Sequence, residues 1–380
     1  MAKVGVLGAG SWGTALAILL HDNGHDVTVW SIDPKEVEML SEKREHVLKL
    51  PGVHISEEIM ITNEMEEAIK GKDFLVLAVP SIFTRSTAAK MKPYVVDGQM
   101  IVDVAKGIEE DTLMTLSQQI SQEIPQADVA VLSGPTHAEE VGRKLPTSCV
   151  IGAKTKKTAE YLQSAFNSKV FRVYTSPDML GIELGGSLKN VIALAAGIAD
   201  GLGYGDNTKA ALITRGIVEI GRLGVKMGGK FESFCGLTGI GDLIVTCASV
   251  HSRNRKAGYL MGQGKSMEEA MKEVNMVVEG VYSAKAAAKL TAISYIIQIN
   301  TDNSVLYIFQ TFRCLQQIRS HRRLIFYIIR QQIIFCLKMM IETSVRHTCF
   351  FTDILDRQFF ISTLPKNLLR CLKDFFLCFL

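Results

Sequence analysis

The chain has 380 residues, which is enough for two domains that each bury a core. Its formal net charge of +3 is too small to predict a nucleic-acid partner. The cysteines at 149, 235 and 247 lie far apart and lack metal-ligand spacing. We therefore expect reduced thiols, no metal site and a cytoplasmic protein.

The first predicted element is a buried strand over the apolar run at 4–7. It is followed by Gly8, Gly10 and Gly13 in the spacing GxGxxG, and then by an apolar run of helical length at 15–20. Between a strand and a helix, this spacing predicts a dinucleotide-binding loop. Gly8 suits the tight turn, Gly10 the approach of a pyrophosphate, and Gly13 close helix packing. The alternative is an ordinary glycine-rich turn. Because the glycines interrupt the apolar run, a signal peptide is not expected.

A second strand is predicted at 25–30, and its end bears on the choice of cofactor. An acidic residue at the end of this strand would bind the ribose 2′-hydroxyl of NAD, but Asp33 lies three residues beyond the predicted end. Asp33 equally fits the N-cap of a helix that begins at Pro34. A small Ser31 leaves room for a 2′-phosphate, with Lys35 as the nearest cation. The choice between NAD and NADP is open at this point.

Further apolar runs alternate with stretches of helical length. Strands are predicted at 73–79, 99–104 and 127–132, and helices at 81–91 and 111–120. This alternation predicts an α/β fold with a doubly wound parallel sheet, in which ligands bind at the carboxyl ends of the strands. Lys106 follows one such strand and is a candidate for binding an anion, or else a solvated loop lysine.

The composition changes from about residue 189, and the run over 180–200, apolar on nearly every side, predicts a buried helix. Lys189 is its only cation and has small neighbours one turn away. Desolvation lowers the pKa of a lysine and suits it to proton transfer. The alternative is a lysine that pairs with Glu183 and orders the helix. A second apolar helix at 208–226 indicates an all-α second domain.

Two more segments of this second domain carry candidate polar groups. Asp242 lies in a glycine-rich stretch and is either a functional carboxylate or the N-cap of the turn that follows. Ser252, Arg253 and Asn254 open a predicted helix and together form a suitable seat for a phosphate. A solvated charged face is the alternative for these residues.

Seven segments together resemble the bacterial-type NAD(P)-dependent glycerol-3-phosphate dehydrogenases, over residues 1 to about 290. They are Gly-Ala-Gly-Ser-Trp-Gly-Thr-Ala at 8–15, Ala-Lys-Gly-Ile-Glu at 105–109, Ser-Gly-Pro-Thr-His-Ala at 133–138, Gly-Gly-Ser-Leu-Lys-Asn-Val-Ile-Ala at 185–193, Gly-Ile-Gly-Asp-Leu-Ile-Val-Thr-Cys at 239–247, Ser-Arg-Asn-Arg at 252–255 and Val-Val-Glu-Gly at 277–280.

The resemblance implies reversible hydride transfer between NAD(P)H and dihydroxyacetone phosphate, giving sn-glycerol 3-phosphate for phospholipid synthesis. It implies that Lys189 is the proton donor and acceptor and that Lys106 and Asp242 line the reacting centre. The substrate-binding positions it implies are Lys106, Gly134, Thr136, Lys189, Asp242, Ser252, Arg253 and Asn254. With the glycine loop, the cofactor-binding positions are Gly8, Gly10, Ser11, Trp12, Gly13, Lys106, Ala138, Arg253, Val277 and Glu279. Family members often carry a basic residue near the end of the second strand, whereas position 32 here is Ile. A homodimer is a further expectation.

The last part of the chain departs from this pattern. Glycine occurs 31 times in the chain but never after residue 290, and five of the eight cysteines fall there. We interpret 291–380 as the product of a shifted reading frame, the alternative being a real appended segment that contacts a membrane surface. This tail has no uninterrupted apolar run of membrane-spanning length, so no span is expected.

The expected organisation is a dinucleotide-binding Rossmann domain at 1–180, an incomplete helical substrate domain at 181–290, and the atypical tail. The sequence leaves two functional alternatives open. One is a dehydrogenase acting on a β-hydroxy acid, and the other is a non-catalytic nucleotide-binding remnant whose C-terminus has been altered.

Overall fold

The structure is a computed structural model that describes residues 1–297. All but the first residues of the atypical tail therefore lie outside the described part, and so does the interpretation of that tail as a shifted reading frame. The described chain has two consecutive parts. The first, up to residue 176, is a sheet covered by helices, and the second, from residue 179 onward, consists of helices alone.

The first part is built on an eight-stranded sheet with the order β10-β9-β8-β7-β6-β1-β2-β5, while β3 and β4 form a separate antiparallel pair. The strands are β1 (Lys3–Leu7), β2 (Asp26–Trp30), β3 (Glu45–His46), β4 (Leu50–His54), β5 (Met60–Thr62), β6 (Phe74–Leu77), β7 (Met100–Asp103), β8 (Asp128–Ser133), β9 (Thr147–Ala153) and β10 (Phe171–Ser176). The helices that cover it are α1 (Ser11–Asp22), α2 (Pro34–Lys43), α3 (Met65–Ile69), α4 (Thr84–Met91), α5 (Leu116–Glu123), α6 (Ala138–Gly142) and α7 (Lys156–Phe166).

The central strands are apolar throughout because both faces of the sheet are covered. Along β6, Phe74 and Val76 belong to the core on one side of the sheet. Leu75 and Leu77 belong to the core on the other side. Successive side chains of a strand point to opposite faces, so a strand buried on both sides needs an unbroken apolar run. The predicted α/β fold with a Rossmann sheet is confirmed.

Two details differ from the sequence predictions. Strand β9 runs antiparallel to β8, although the sheet is otherwise parallel. A parallel return needs a crossover usually built on a full helix, and only the five-residue α6 connects these strands. The helix predicted at 111–120 begins later, at Leu116, because Thr115 and Gln118 form a capping box at its amino end.

The second part is all-helical, as expected. Its helices are α8 (Met179–Gly201), α9 (Asp206–Lys226), α10 (Phe231–Phe234), α11 (Asp242–Ala248), α12 (Arg253–Gly262), α13 (Met267–Val274) and α14 (Glu279–Ile297). Helix α8 lies at the centre, packed by α9, α11, α12 and α14. This explains why its sequence is apolar on nearly every side.

Two described segments are long and apolar enough to cross a membrane by composition alone, Met179–Gly201 and Phe231–Ala248. The first is α8, whose most apolar window is 94% buried inside the protein. The second is 39% buried and consists of α10, a π-helical turn and α11. A core helix satisfies the same test of length and composition as a membrane span, so α8 carries little weight as evidence for one.

Small residues allow α12 to lie directly on α8. A Cβ atom added to Gly258 would stand 2.1 Å from the carbonyl oxygen of Leu194, and one added to Gly197 would stand 2.1 Å from that of Arg255. Only glycine permits backbones to approach this closely. The contact brings the amino end of α12 beside the middle of α8, where Lys189 lies.

Candidate active site

The glycine loop has the geometry that its spacing predicts. Gly8 has a φ of +116°, and its N–H donates to the carbonyl of Trp30 at 2.9 Å. A Cβ atom on Gly13 would stand 1.9 Å from the carbonyl oxygen of Gly8, so α1 packs against the turn only without a side chain there. A Cβ on Gly10 would meet no atom within 4 Å, and no side chain caps α1. The amino end of α1 is therefore open to a pyrophosphate, as a dinucleotide requires.

Lys106 lies at the carboxyl edge of the sheet, in the loop after β7. Its Nζ donates to the carbonyl of Gly134 at 2.8 Å and lies 3.4 Å from the hydroxyl of Thr136, both in the loop after β8. Only 16% of its side chain is exposed. The alternative of a solvated loop lysine is therefore wrong.

Asp242 joins Lys106 to Lys189. Its Oδ2 accepts from Nζ of Lys106 at 2.6 Å, and its Oδ1 accepts from Nζ of Lys189 at 2.8 Å. The side chains of Lys189 and Asp242 are 7% and 2% exposed. One buried carboxylate thus bridges two ammonium groups, one from the sheet edge and one from the central helix.

The two simpler roles considered for these residues are not observed. Glu183 does not pair with Lys189, because its carboxylate accepts from the N–H and hydroxyl of Ser117 at 2.8 and 2.7 Å. Asp242 is the first residue of α11, and the N-cap position belongs to Gly241. The carboxylate of Asp242 is therefore used by the lysines and not by the end of the helix.

Thr246, one turn after Asp242, completes the setting of Lys189. Its hydroxyl donates to the backbone carbonyl of Asp242 at 2.6 Å and accepts from Nζ of Lys189 at 2.6 Å. An ammonium group has three N–H donors. Within the described residues, Asp242 and Thr246 take two of them, which leaves one for a ligand.

Burial and charge set the protonation of this cluster. Burial lowers the pKa of Lys189 to about 8; Asp242 opposes this shift and Lys106 adds to it. Burial alone would raise the pKa of Asp242, but the charges of Lys106 and Lys189 outweigh it and hold that pKa below its usual range. At neutral pH Asp242 is therefore ionised and Lys189 is mostly protonated, with a pKa low enough for it to give up its proton.

The three residues of the phosphate site predicted at 252–254 have three different settings in the structure. The hydroxyl of Ser252 caps α12 by accepting from the N–H of Arg255 at 3.2 Å. Asn254 donates to the side chain of Asn190 at 2.8 Å and accepts from the N–H of Gly280 at 2.8 Å. Arg253 is exposed at the amino end of α12, so it is the residue of the three whose charged group faces outward.

Glu279 connects the start of α14 to the loop after β6. Its carboxylate accepts from the N–H of Ser81 at 3.0 Å and also from the hydroxyl of Ser81. Burial raises the pKa of Glu279 above its usual value, although Ser81 and Arg253 oppose the shift. The helical part is thus tied to the edge of the sheet at which a dinucleotide would lie.

The remaining candidates for chemistry are the cysteines and the side chains that could bind a metal ion. Cys149 and Cys247 are buried free thiols and Cys235 is an exposed one. Burial raises the pKa of Cys247 to about 12, which keeps it a thiol. Within residues 1–297, no group of three or more His, Cys, Asp or Glu side chains is placed to hold a metal ion.

Comparison with known families assigns both parts of the chain. The N-terminal model of NAD-dependent glycerol-3-phosphate dehydrogenase matches residues 3–159, and the C-terminal model of the same family matches residues 178–310. The chain belongs to the NAD-dependent glycerol-3-phosphate dehydrogenase family. The second match extends past residue 290, where the resemblance found in the sequence ended.

Members of this family are similar over most of their length. The glycerol-3-phosphate dehydrogenase [NAD(P)+] of Agathobacter rectalis is 68% identical over 290 residues, which are 76% of this chain and 86% of that protein. The protein of the same name from Fusobacterium nucleatum is 60% identical over 301 residues, 79% of this chain and 90% of that one. The crystal structure of glycerol-3-phosphate dehydrogenase from Coxiella burnetii superposes with a TM-score of 0.74 at 33% identity, covering 82% of this chain and 98% of that chain.

The structure brings five of the sixteen predicted site residues of this family member into direct contact. Lys106, Gly134, Thr136, Lys189 and Asp242 form a connected cluster of hydrogen bonds. The other predicted positions lie near the amino ends of helices: Ser11 and Trp12 at the start of α1, Ala138 at the start of α6, Ser252 as the N-cap of α12 with Arg253 and Asn254 in its first turn, and Val277 just before Glu279, the first residue of α14.

Three residues of the site were not singled out from the sequence. Thr246 stands four residues after Asp242, a spacing that places both on one face of α11. Asn190 directly follows Lys189, and its amide lies 3.5 Å from the carbonyl oxygen of Lys106. His137 lies between Thr136 and Ala138, and its Nε2 is buried without a hydrogen-bond partner. Burial and the charges of Lys189 and Lys106 lower the pKa of His137, so the imidazole is neutral at neutral pH.

Proposed function

We propose that this chain reduces dihydroxyacetone phosphate to sn-glycerol 3-phosphate with NADH or NADPH, and catalyses the reverse reaction. The observation that carries the proposal is Lys189, buried in α8 and held by Asp242 beside Lys106. The family assignment and the names of the similar enzymes support the same activity. The product is the backbone of phospholipids, so we place the enzyme in lipid synthesis.

The glycine loop is the proposed seat of the dinucleotide. When bound, the cofactor supplies or takes up the hydride of the reaction. Gly8 shapes the turn, and Gly10 leaves the amino end of α1 open to the pyrophosphate. Ser11, Trp12, Ala138, Val277 and Glu279 are proposed to contact the rest of the cofactor.

Lys189 is the proposed proton donor in ketone reduction. Its pKa of about 8 leaves it mostly protonated at neutral pH, and one of its N–H groups is not used by Asp242 or Thr246. As the carbonyl carbon of the substrate gains hydride, its oxygen becomes an alkoxide. Lys189 donates its proton to that oxygen, and the charge of Lys106 stabilises the alkoxide as it develops.

Asp242 is the proposed positioning group for both lysines. It points Nζ of Lys189 and Nζ of Lys106 toward the same region by accepting from each with a different oxygen. Because its own pKa is held low, it remains a carboxylate throughout and does not compete as an acid. Gly134 and Thr136 contact Lys106 and are proposed to line the substrate pocket.

Arg253 is the proposed phosphate ligand. Its exposed guanidinium stands at the amino end of α12, where the free N–H groups of a helix also favour an anion. The hydroxyl of Ser252 already caps this helix. The amide of Asn254 bonds Asn190 and Gly280, so we propose that it holds α12 against α8 and places Arg253 near the substrate.

Assay of the purified full chain tests the activity against both alternatives. Oxidation of NADH or NADPH is followed with dihydroxyacetone phosphate and, separately, with a β-keto acid. The proposal expects turnover with dihydroxyacetone phosphate and formation of sn-glycerol 3-phosphate. Turnover with the keto acid alone would favour the β-hydroxy-acid dehydrogenase, and dinucleotide binding without turnover would favour the non-catalytic remnant. The family assignment does not favour either alternative.

We also propose the division of the chain into a dinucleotide-binding part at 1–180, a helical part at 181–290 and a tail at 291–380 that arises from a shifted reading frame. The change in composition after residue 290 supports the division, and the family's C-terminal model, which matches as far as residue 310, sets the region that the test must cover. Resequencing of the gene across codon 290, with the intact mass of the purified protein, tests it. An unbroken frame that yields a stable chain of full length would contradict the frame shift.

We also propose that the protein is cytoplasmic and forms a homodimer. The free thiols of Cys149, Cys235 and Cys247 suit a reducing compartment. The family resemblance alone supports the dimer, and analytical ultracentrifugation of the purified chain tests it. Cell fractionation with an antibody against the chain tests the location.

A further inference from the structure

The carboxyl end of β2 lies directly beside the glycine loop. The N–H of Gly8 donates to the carbonyl of Trp30, the last residue of β2, at 2.9 Å. The residues that follow Trp30 therefore border the place where the adenosine ribose of a bound dinucleotide would lie. These residues are Ser31, Ile32 and Asp33.

The hydroxyl of Ser31 has no proton to offer a ligand. It donates to Oε2 of Glu36 at 2.5 Å and accepts from the N–H of Asp33 at 3.2 Å. A serine hydroxyl has one hydrogen to donate. With that hydrogen on Glu36, and the residue 3% exposed, Ser31 gives a phosphate no donor.

Glu36 keeps this arrangement fixed because it stays ionised. Its Oε1 accepts from Nε2 of His46 at 3.0 Å and from Nζ of Lys49 at 2.5 Å. Burial would raise the pKa of Glu36, but the hydrogen bonds from His46, Lys49 and Ser31 outweigh it and lower the pKa to about 2. Glu36 is therefore an acceptor over the whole physiological pH range.

Asp33 occupies the amino end of α2 with a negative charge. Its Oδ1 accepts from the N–H of Lys35 at 3.0 Å, and the side chain is exposed. The amino end of a helix is where a phosphate would otherwise bind. Asp33 thus satisfies this end of α2 itself and would repel a phosphate placed there.

Two cations near this edge of the sheet, Lys49 and Arg44, already bind other groups of the protein. Lys49 bonds Glu36. Arg44 donates to the carbonyl oxygens of Ser56 and Ile59 and pairs with Glu57. Ile32, 67% exposed, presents an apolar side chain between Ser31 and Asp33.

We propose that this edge makes the enzyme selective for NADH over NADPH, with Asp33 as the residue that decides it. A ribose 2′-hydroxyl donates a hydrogen bond and finds the carboxylate of Asp33 as its acceptor. A 2′-phosphate can only accept, and at the end of β2 it finds a carboxylate, an apolar Ile32 and a serine that has no free proton. The nearest cation in the sequence, the exposed Lys35, follows Asp33 by two residues on α2. The inference rests on the proposed function, because it needs a dinucleotide in the glycine loop.

Binding without substrate tests the inference. The two tryptophans of the chain are Trp12 and Trp30, at the start of α1 and at the end of β2. Quenching of their fluorescence in the purified full chain gives dissociation constants for NADH and NADPH. We expect NADH to bind at least about tenfold more tightly. Equal binding, or tighter binding of NADPH, would overturn the selectivity while leaving the proposed function intact. Binding of neither would overturn both.

Three variants locate the selectivity. Asp33→Asn keeps an N-cap, since Asn caps as well as Asp, but removes the charge. It is expected to tighten NADPH binding several-fold and to weaken NADH binding, with an unchanged melting temperature. Ile32→Arg adds the missing cation and is expected to tighten NADPH binding about tenfold. Glu38→Gln removes an exposed charge from the same helix and is expected to change neither constant. An unchanged NADH/NADPH ratio in Asp33→Asn would contradict the role of Asp33.

Discussion

Lys189 and Asp242 form a buried ion pair in which Nζ of the lysine lies 2.8 Å from Oδ1 of the aspartate. The second oxygen of Asp242 binds Lys106 at 2.6 Å, so the three side chains carry a net charge of +1 in a place almost closed to water. A low dielectric strengthens the attraction of such a charge for an anion. An alkoxide that forms beside Lys189 would therefore be stabilised before it takes up a proton.

The first prediction concerns pH. Lys189 donates its proton during ketone reduction, and its pKa in the free enzyme is about 8. The value of kcat/KM for reduction should be highest below this pH and fall as the pH rises through it, because the donor form is lost. For oxidation of glycerol 3-phosphate the neutral lysine is needed, so kcat/KM should rise over the same range. Profiles in both directions check this, and parallel profiles would contradict it.

The second prediction concerns Asp242→Asn. The carboxylate raises the pKa of Lys189, so its loss leaves burial and Lys106 to lower that pKa further. The fall of kcat/KM for reduction should shift to lower pH, and kcat should drop by about a hundredfold as Lys189 loses its orientation. Asp97→Asn, an exposed aspartate in a distant loop, is the matched control. A pH profile identical to that of the unaltered enzyme would contradict the proposed role of Asp242.

The third prediction separates two glycines of the loop. Gly10→Ala places its Cβ in open space, so the protein should melt at an unchanged temperature yet bind NADH at least about tenfold more weakly. Gly13→Ala places its Cβ 1.9 Å from the carbonyl oxygen of Gly8, so it should lower the melting temperature. Thermal unfolding without cofactor and fluorescence titration check both. A strongly destabilised Gly10→Ala would show that the loop is closed to the pyrophosphate.

The fourth prediction concerns the phosphate of the substrate. Arg253→Ala should raise KM for dihydroxyacetone phosphate about tenfold to a hundredfold, the range expected for loss of a charged hydrogen bond. Lys256→Ala removes another exposed cation of α12 and serves as the control, with KM unchanged. Steady-state kinetics at saturating NADH give both values. Equal effects of the two substitutions would assign the phosphate to general positive charge on α12.

The local features that the sequence predicted are those set by neighbouring residues. The glycine spacing determined the turn at Gly8, and Asp33 caps α2 as expected because the cap is formed within three residues. The burial of α8 followed from its apolar sequence. Each of these depends on a short stretch of chain, so one stretch is enough to predict it.

The pairings across the chain were harder to predict. The pairing considered for Lys189 was with Glu183, six residues earlier on the same helix, whereas the packing of α11 on α8 brings it to Asp242, 53 residues later in the chain. Strand β9 runs antiparallel to β8 because the connection between them is short. Helix α5 starts later than its apolar pattern predicted because a capping box at Thr115 fixes its first residue. The role of Thr246 depends on Lys189, which lies 57 residues earlier in the chain.

The most direct test of the account is the rate of NADH oxidation by dihydroxyacetone phosphate in the purified full chain and in Lys189→Met, with sn-glycerol 3-phosphate measured as the product. Lys154→Met, an exposed lysine of the first part, is the control. We expect the unaltered chain and the control to turn over equally, and Lys189→Met to lose about a hundredfold to ten-thousandfold in kcat while still binding NADH. Turnover by Lys189→Met at the rate of the unaltered chain would contradict the assignment of Lys189 as the proton donor.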